Sequence, residues 1–153
     1  MCGLMSERYA FVIMIKDKFW REFCRIHHKG KQIQSYVQKG KAPPKDARVI
    51  FFYVTKPAAE IAGYAEFVER KVGDAEEIWK EHGHESVLSS EKQYSEFLGG
   101  TSQVSFIRFK NLHGSSKPIS LSNLQMILGV KRLSRKGFYI DKETADKLIE
   151  IMT

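Results

Sequence analysis

The sequence predicts an α+β fold, a small mixed or antiparallel sheet with peripheral helices, and three observations predict it. Val49 to Val54 is an almost unbroken apolar run of β-branched and aromatic residues, which suits a central strand covered on both faces. From Ile61 to Val68 the residues alternate as a strand with one face only partly buried. Asp74, Ser90 and Asp141 each stand at the head of an amphipathic stretch, where a side-chain oxygen satisfies the unpaired amides of a first helical turn.

Taken in order, Ala10–Lys16 (AFVIMIK) reads as a first strand. Asp17 is a candidate cap for the helix that follows, with Phe19, Trp20, Phe23, Cys24 and His27 on one stripe at i, i+3 and i+4 and Gly30 as terminator. That stripe is expected in the core. Residues 29–45 are rich in glycine and lysine with little apolar content, and read as an exposed basic strand and loop. After the central strand, Lys56-Pro57 interrupts the ladder, because proline has no amide proton. The second strand closes at Gly73, and Asp74 caps an acidic helix whose Ile78 and Trp79 face the sheet. Ser90-Glu-Lys-Gln93 forms a second capping box for a short helix ending at Gly99-Gly100. Gln103–Lys110 is a further strand, and 111–118 reads as a turn-rich loop. Ser120 or Ser122 then caps a helix carrying Leu124, Ile127 and Leu128 before Gly129. A short strand at 137–140 and a terminal helix from Asp141, with Ala145, Leu148, Ile149 and Met152 on one side, complete the chain.

At 153 residues the chain is expected to form one domain, large enough to bury roughly two thirds of its unfolded surface. It has no apolar run of membrane-spanning length and no basic-then-apolar leader, so a cytoplasmic protein with no membrane contact is expected. Cys2 and Cys24 are too few for a disulfide scaffold, and Cys24 is expected to behave as a small apolar side chain.

The net charge of +7 is unevenly spread. Residues 16–56 carry 11 Lys/Arg against 3 Asp/Glu, residues 57–100 carry 4 against 10, and residues 101–153 carry 9 against 4. Two basic flanks therefore enclose an acidic middle. Folded together, the flanks would make a positive surface suited to a phosphate-bearing partner; the plainer alternative is that the lysines only solvate the surface. Phosphate contacts call for loop-borne Lys and Arg, and base recognition for a flat aromatic face with polar groups at its edge. The phosphate-facing candidates are Lys29, Lys31, Lys39, Lys41 and Lys45 in the first basic segment, with Lys131, Arg132, Arg135 and Lys136 near the end. Tyr36, Tyr53 and Tyr139 are the aromatic candidates, with Ser35 and Thr55 as edge partners. Tyr53 is expected in the core more than in a pocket, because its strand calls for burial, and Trp20 and Trp79 are expected there too.

Other chemistry has less support. His82-Gly-His84 and His27-His28 have no spaced second pair to close a zinc site, so neither metal nor cofactor is expected. Gly99-Gly100 opens no helix and follows no strand, unlike a phosphate-binding loop. Glu76, Glu77, Glu81 and Glu85 would serve as a carboxylate pair for acid and base work only if gathered in a cleft, and read instead as a solvated helix face.

The strand end FYVTKP (52–57), the strand IAGYAEF, the EEIW helix and the terminal KGFYIDKETADKLIEI (136–151) together resemble the PUA-like superfamily, which includes the PUA, ASCH and EVE domains. Within it the chain is similar to an archaeal PUA-like family of unassigned function. The resemblance covers nearly the whole chain and implies a small mixed or antiparallel PUA-like β-barrel with peripheral helices. It also implies an RNA-related module, since PUA domains bind structured RNA, EVE and related domains are associated with modified bases, and some ASCH proteins hydrolyse acetylated cytidine. The ASCH-like hydrolase pattern places a lysine two, a glutamate five and an arginine seven residues after a glycine. Counted from Gly30 this chain has Gln32, Ser35 and Val37, and from Gly40 it has Ala42, Lys45 and Ala47, so that catalytic set is not carried over. The expectation is an RNA-binding domain whose partner is tRNA, rRNA or a modified nucleotide. The alternatives are a hydrolase acting on a modified nucleoside through Lys31, Tyr53 and Thr55, and a protein-interaction module using the acidic 74–96 face.

Overall fold

The computed structural model describes residues 8–153; Cys2 lies outside them. Six strands form one mixed sheet: β1 (Ala10–Ile15), β2 (Ile33–Lys39), β3 (Val49–Val54), β4 (Glu60–Asp74), β5 (Gln103–Ser120) and β6 (Phe138–Ile140). Their spatial order is β2-β5-β4-β3-β1-β6. β1 and β3 run parallel, and every other neighbouring pair is antiparallel. The helices are α1 (Asp17–His28), α2 (Ala75–His82), α3 (Glu91–Leu98), α4 (Leu121–Leu128) and α5 (Lys142–Met152), with a 3₁₀ turn at Gly83–Glu85.

The expected α+β architecture of a mixed sheet with peripheral helices is present, with one correction to the expected barrel: the sheet is not closed, because β2 and β6 are its two edges. Its curl comes from the long β4–β5 pair. Register shifts at Ile61/Gly63, Tyr64/Glu66 and Phe67/Glu69 put extra residues into the ladder, and such bulges bend a strand and increase its twist. At Gly63 an added Cβ would run into the His113 carbonyl and lie 2.6 Å from the Trp20 ring, so only glycine fits where β4, β5 and α1 meet.

β3 is buried on both faces, as its composition predicts. Ile50, Phe52 and Val54 join Phe11, Ile13, Trp20, Phe23 and Phe109 in a core under α1. Phe51 and Tyr53 join Val12, Ile61, Leu124, Ala145 and Leu148 in a second core under α4 and α5. A third cluster, Ala75, Tyr94, Leu98, Val104 and Phe106, seats α2 and α3, with Trp79 stacked 4.3 Å from Tyr94. Cys24 is half-buried beside the first core, where burial raises its thiol pKa.

Four of the expected caps are in place, but Asp17 is the first residue of α1, and Lys16 stands at its N-cap with no side-chain bond. Asp74 accepts from the Glu77 amide, Ser90 from Gln93, Ser120 from Asn123 and Asp141 from Thr144. Two sequence readings are corrected. Residues 111–118, expected as a loop, continue β5 to Ser120. Asn111 takes φ +54 there, and the ladder resumes with Tyr64 opposite His113, so the turn-forming residues mark a bulge. The basic segment around 33–39 is a paired strand rather than an open surface, and it buries Gln34 and Ser35 against α1 and the 3₁₀ turn.

Candidate nucleic-acid interface

The place where the sheet fails to close is the candidate site. β6 covers only Ala10–Val12 of β1, so the far end of β1 lacks a strand on that side. The other free edge, β2, curls round to it. One side-chain bond spans the gap: the Tyr36 hydroxyl donates to the Met14 carbonyl at 2.8 Å. Burial pushes the Tyr36 phenol up to about 12, so it stays protonated and donating across the physiological range.

Three cavities meet around Met14. The first, about 510 Å³, lies between the start of α1, β2 and the segment after the 3₁₀ turn, and its walls include Phe19, Phe23, Tyr36, Phe97, Thr55 and Ser86–Leu88. The second, about 380 Å³, shares Tyr36 and is bordered by Lys39 and Lys41 on one side and Arg135 and Lys136 on the other. The third, about 760 Å³, shares Thr55 and Arg135 and adds Tyr53, Lys56, Lys131 and Arg132. No carboxylate lines any of the three. With uncompensated cations around low-dielectric walls, the seam focuses a positive potential.

Two of the five lysines of the first basic group and all four cations of the second, far apart in sequence, therefore line cavities that meet along one seam. Lys39, Lys41, Arg135 and Lys136 share a cavity, and Lys131 and Arg132 border its neighbour. Lys45 lines none of the three cavities; its amide donates to the Tyr139 hydroxyl at 3.1 Å. Lys29 and Lys31 line none of the three cavities; the Lys31 ammonium bonds the His84 carbonyl instead. Among the aromatic candidates, Tyr36 lines the first two cavities and Tyr53, though 7% exposed and largely core, reaches the third. Tyr139 lines none of them and packs edge-on against Phe11. Thr55 joins the first cavity to the third, and its amide donates to the Ile15 carbonyl at 3.0 Å. Ser35 lines the first cavity, but its hydroxyl is committed to Glu85 at 2.8 Å. The hydrolase grouping of Lys31, Tyr53 and Thr55 is not assembled in one cavity.

Sequence reasoning missed Lys16 and Lys18 at the mouth of the first cavity and Lys56 in the third; nothing in their spacing distinguishes them from solvating lysines. It also missed a buried ionic cluster. Glu85, expected on a solvated helix face, lies past the end of α2 in the 3₁₀ turn and is 5% exposed. Arg108 bonds both its oxygens, Nε to Oε1 and Nη2 to Oε2, at 2.9 Å each. Arg108 also pairs with Glu69, and His82 Nδ1 lies 3.4 Å from Glu85 Oε2. Burial alone would raise the Glu85 pKa, but bonds from Arg108 and Ser35 and the nearby charges hold it below the usual carboxylate range. Among the described residues no group of three or more His, Cys, Asp or Glu is arranged to hold a metal, and no helix is long and apolar enough to cross a membrane.

No family model matches the chain. The crystal structure of ASCH from Zymomonas mobilis superposes with a TM-score of 0.76 at 22% identity, covering 95% of this chain and 97% of that one. A mutant form of the same protein gives 0.75 at 23% identity, over 97% and 99% of the two chains. The fold is that of the Zymomonas mobilis ASCH structures. A curated ASCH domain-containing ribonuclease of Zymomonas mobilis is 27% identical to this chain over 132 residues, covering 86% of this chain and 87% of the relative. These ASCH relatives are bacterial, whereas the sequence had suggested an archaeal family.

Proposed function

We propose that the chain binds RNA along the open seam of its sheet, with an unpaired or modified base in the 510 Å³ cavity and the flanking phosphates on the basic rim. The observation that carries this reading is the meeting of Lys39 and Lys41 with Arg135 and Lys136 around one cavity. Phenylalanine and tyrosine rings in the adjoining cavity supply the flat apolar surface on which a splayed base stacks. The ribonuclease relative supports an RNA partner. Fluorescence anisotropy with structured and single-stranded RNA at low salt tests the reading. Binding that weakens steeply with salt, and weakens again when Lys131, Arg132, Arg135 and Lys136 are replaced together, is the expected result. RNA affinity indifferent to both would overturn it.

A second reading, that bound RNA is also cut, is favoured by the description of that relative as a ribonuclease. The cations of the seam would stabilise charge developing on a phosphoryl group under attack. Gel analysis of end-labelled RNA with protein in excess separates the two, since intact RNA after prolonged incubation leaves binding alone.

A further inference from the structure

We infer that Glu85 is a positioning residue for the seam: clasped by Arg108 and Ser35, it fixes the segment Ser86–Leu88 as one wall of the 510 Å³ cavity. The inference rests on the proposed RNA-binding reading for its consequence, but not for its geometry.

Apart from apolar packing of Val87 against the first core and Leu88 against the third, the wall makes no polar bond of its own to the sheet. Ser86, Val87 and Leu88 lie between the 3₁₀ turn and α3, outside the sheet ladder. Their own bonds are local: the Ser86 amide donates to the Gly83 carbonyl at 3.1 Å, and the Leu88 amide to the Ser86 hydroxyl at 2.9 Å. The polar fastening to the sheet comes from the residue just before them. Ser35 on β2 and Arg108 on β5 are direct register partners, and Glu69 on β4 is Arg108's partner on its other side. Three adjacent strands thus present one row of polar groups, onto which the Glu85 carboxylate closes with three bonds of 2.8–2.9 Å. His82 flanks the same carboxylate from α2, and Lys31 holds the carbonyl of His84 just before it.

The layout couples the clasp to the cavity directly. Ser35 bonds Glu85 and lines the first cavity, and its chain neighbour Tyr36 bridges the seam to Met14. A two-pronged arginine–carboxylate pair fixes orientation as well as distance, so it sets where the following three residues stand. The phosphate-facing cations lie on other segments, which makes the effects of wall and rim separable.

Glu85→Gln keeps the size of the side chain and an acceptor for Ser35 but removes the charge that Arg108 grips. The expected result is amide hydrogen exchange at 86–88 at least tenfold faster than in the unsubstituted protein, with β3 unchanged. Affinity for a labelled oligouridylate hexamer should fall at least fivefold while the slope of log affinity against log salt stays the same, because no phosphate contact is touched. Ser35→Ala removes one of the three bonds and should move both readouts the same way by less; it also serves if Glu85→Gln does not fold. Wild-type exchange rates at 86–88 in both variants would overturn the inference, as would an equal rise throughout β2, β3 and β5, which marks general destabilisation. Faster exchange with unchanged hexamer affinity would overturn the positioning role. Failure of the unsubstituted protein to bind the hexamer would instead count against the RNA-binding reading, and the exchange result would still judge the clasp.

Discussion

Arg108 grips both oxygens of Glu85 at 2.9 Å while its remaining nitrogen pairs with Glu69, so one guanidinium on β5 ties the 3₁₀ turn to β4. Removing the arginine leaves a buried carboxylate without its partner. Arg108→Ala should cost about 3–5 kcal/mol, measured by urea unfolding. The pair also sets an acid limit. The Glu85 pKa is lowered on folding, so its contribution is fully present above the unfolded glutamate value of about 4.3 and is lost as pH falls below it toward the folded value. A stability profile from pH 7 to 3 should fall less steeply in Glu85→Gln; an identical acid limb would contradict this.

At the alkaline end the sign reverses. Burial raises both Tyr36 and Tyr94 to about 12. Their contribution is present below pH about 10, the unfolded tyrosine value, and is lost as pH rises from there toward the folded pKa near 12. Burial also raises Tyr53, so absorbance at 295 nm should show Tyr36, Tyr94 and Tyr53 titrating late, with Tyr36→Phe deleting one of them. That variant also strips the Met14 carbonyl of its partner and should lose about 1–3 kcal/mol.

Core and surface should answer differently to truncation. Phe52 is fully buried in the first core, against Trp20, Phe23 and Phe109, and Phe52→Ala should cost about 3–5 kcal/mol. Met126, 79% exposed on α4, should tolerate alanine within about 0.5 kcal/mol. Denaturant midpoints of the two variants provide the check.

The basic residues should not contribute equally to RNA affinity. Arg135 borders two cavities, whereas Lys29 borders none of the three. Arg135→Ala should reduce the salt slope for single-stranded RNA by about 0.7, the value of one phosphate contact. Lys29→Ala should leave the slope where it was, so equal effects of the two substitutions would argue against the seam as the binding track.

Where burial follows apolar pattern, the sequence was readable. β3 announced itself by composition, and the four caps at Asp74, Ser90, Ser120 and Asp141 occupy the positions their side chains suggest. Buried polar groups were not readable. Ser35, Gln34 and Glu85 are ordinary surface residues in one dimension, and become interior ones only because Arg108 and the Phe23 carbonyl meet them in the fold. The second half of β5 was hidden for a related reason: Asn111, Gly114 and Pro118 signal a turn, and only pairing with β4 shows that the chain bends there without leaving the sheet. The charge distribution raised the possibility that the two basic flanks meet, but which of their residues border a shared cavity depends on where β2 ends and how 131–136 returns to it.

The junction between β1 and β2 is bridged by a phenol and not by a ladder of amides. Each of the two strands is therefore held by pairing on its other side alone, β1 to β3 and β2 to β5. Substitutions there that spare the Tyr36–Met14 bridge would change the shape of the cleft without breaking a strand pairing.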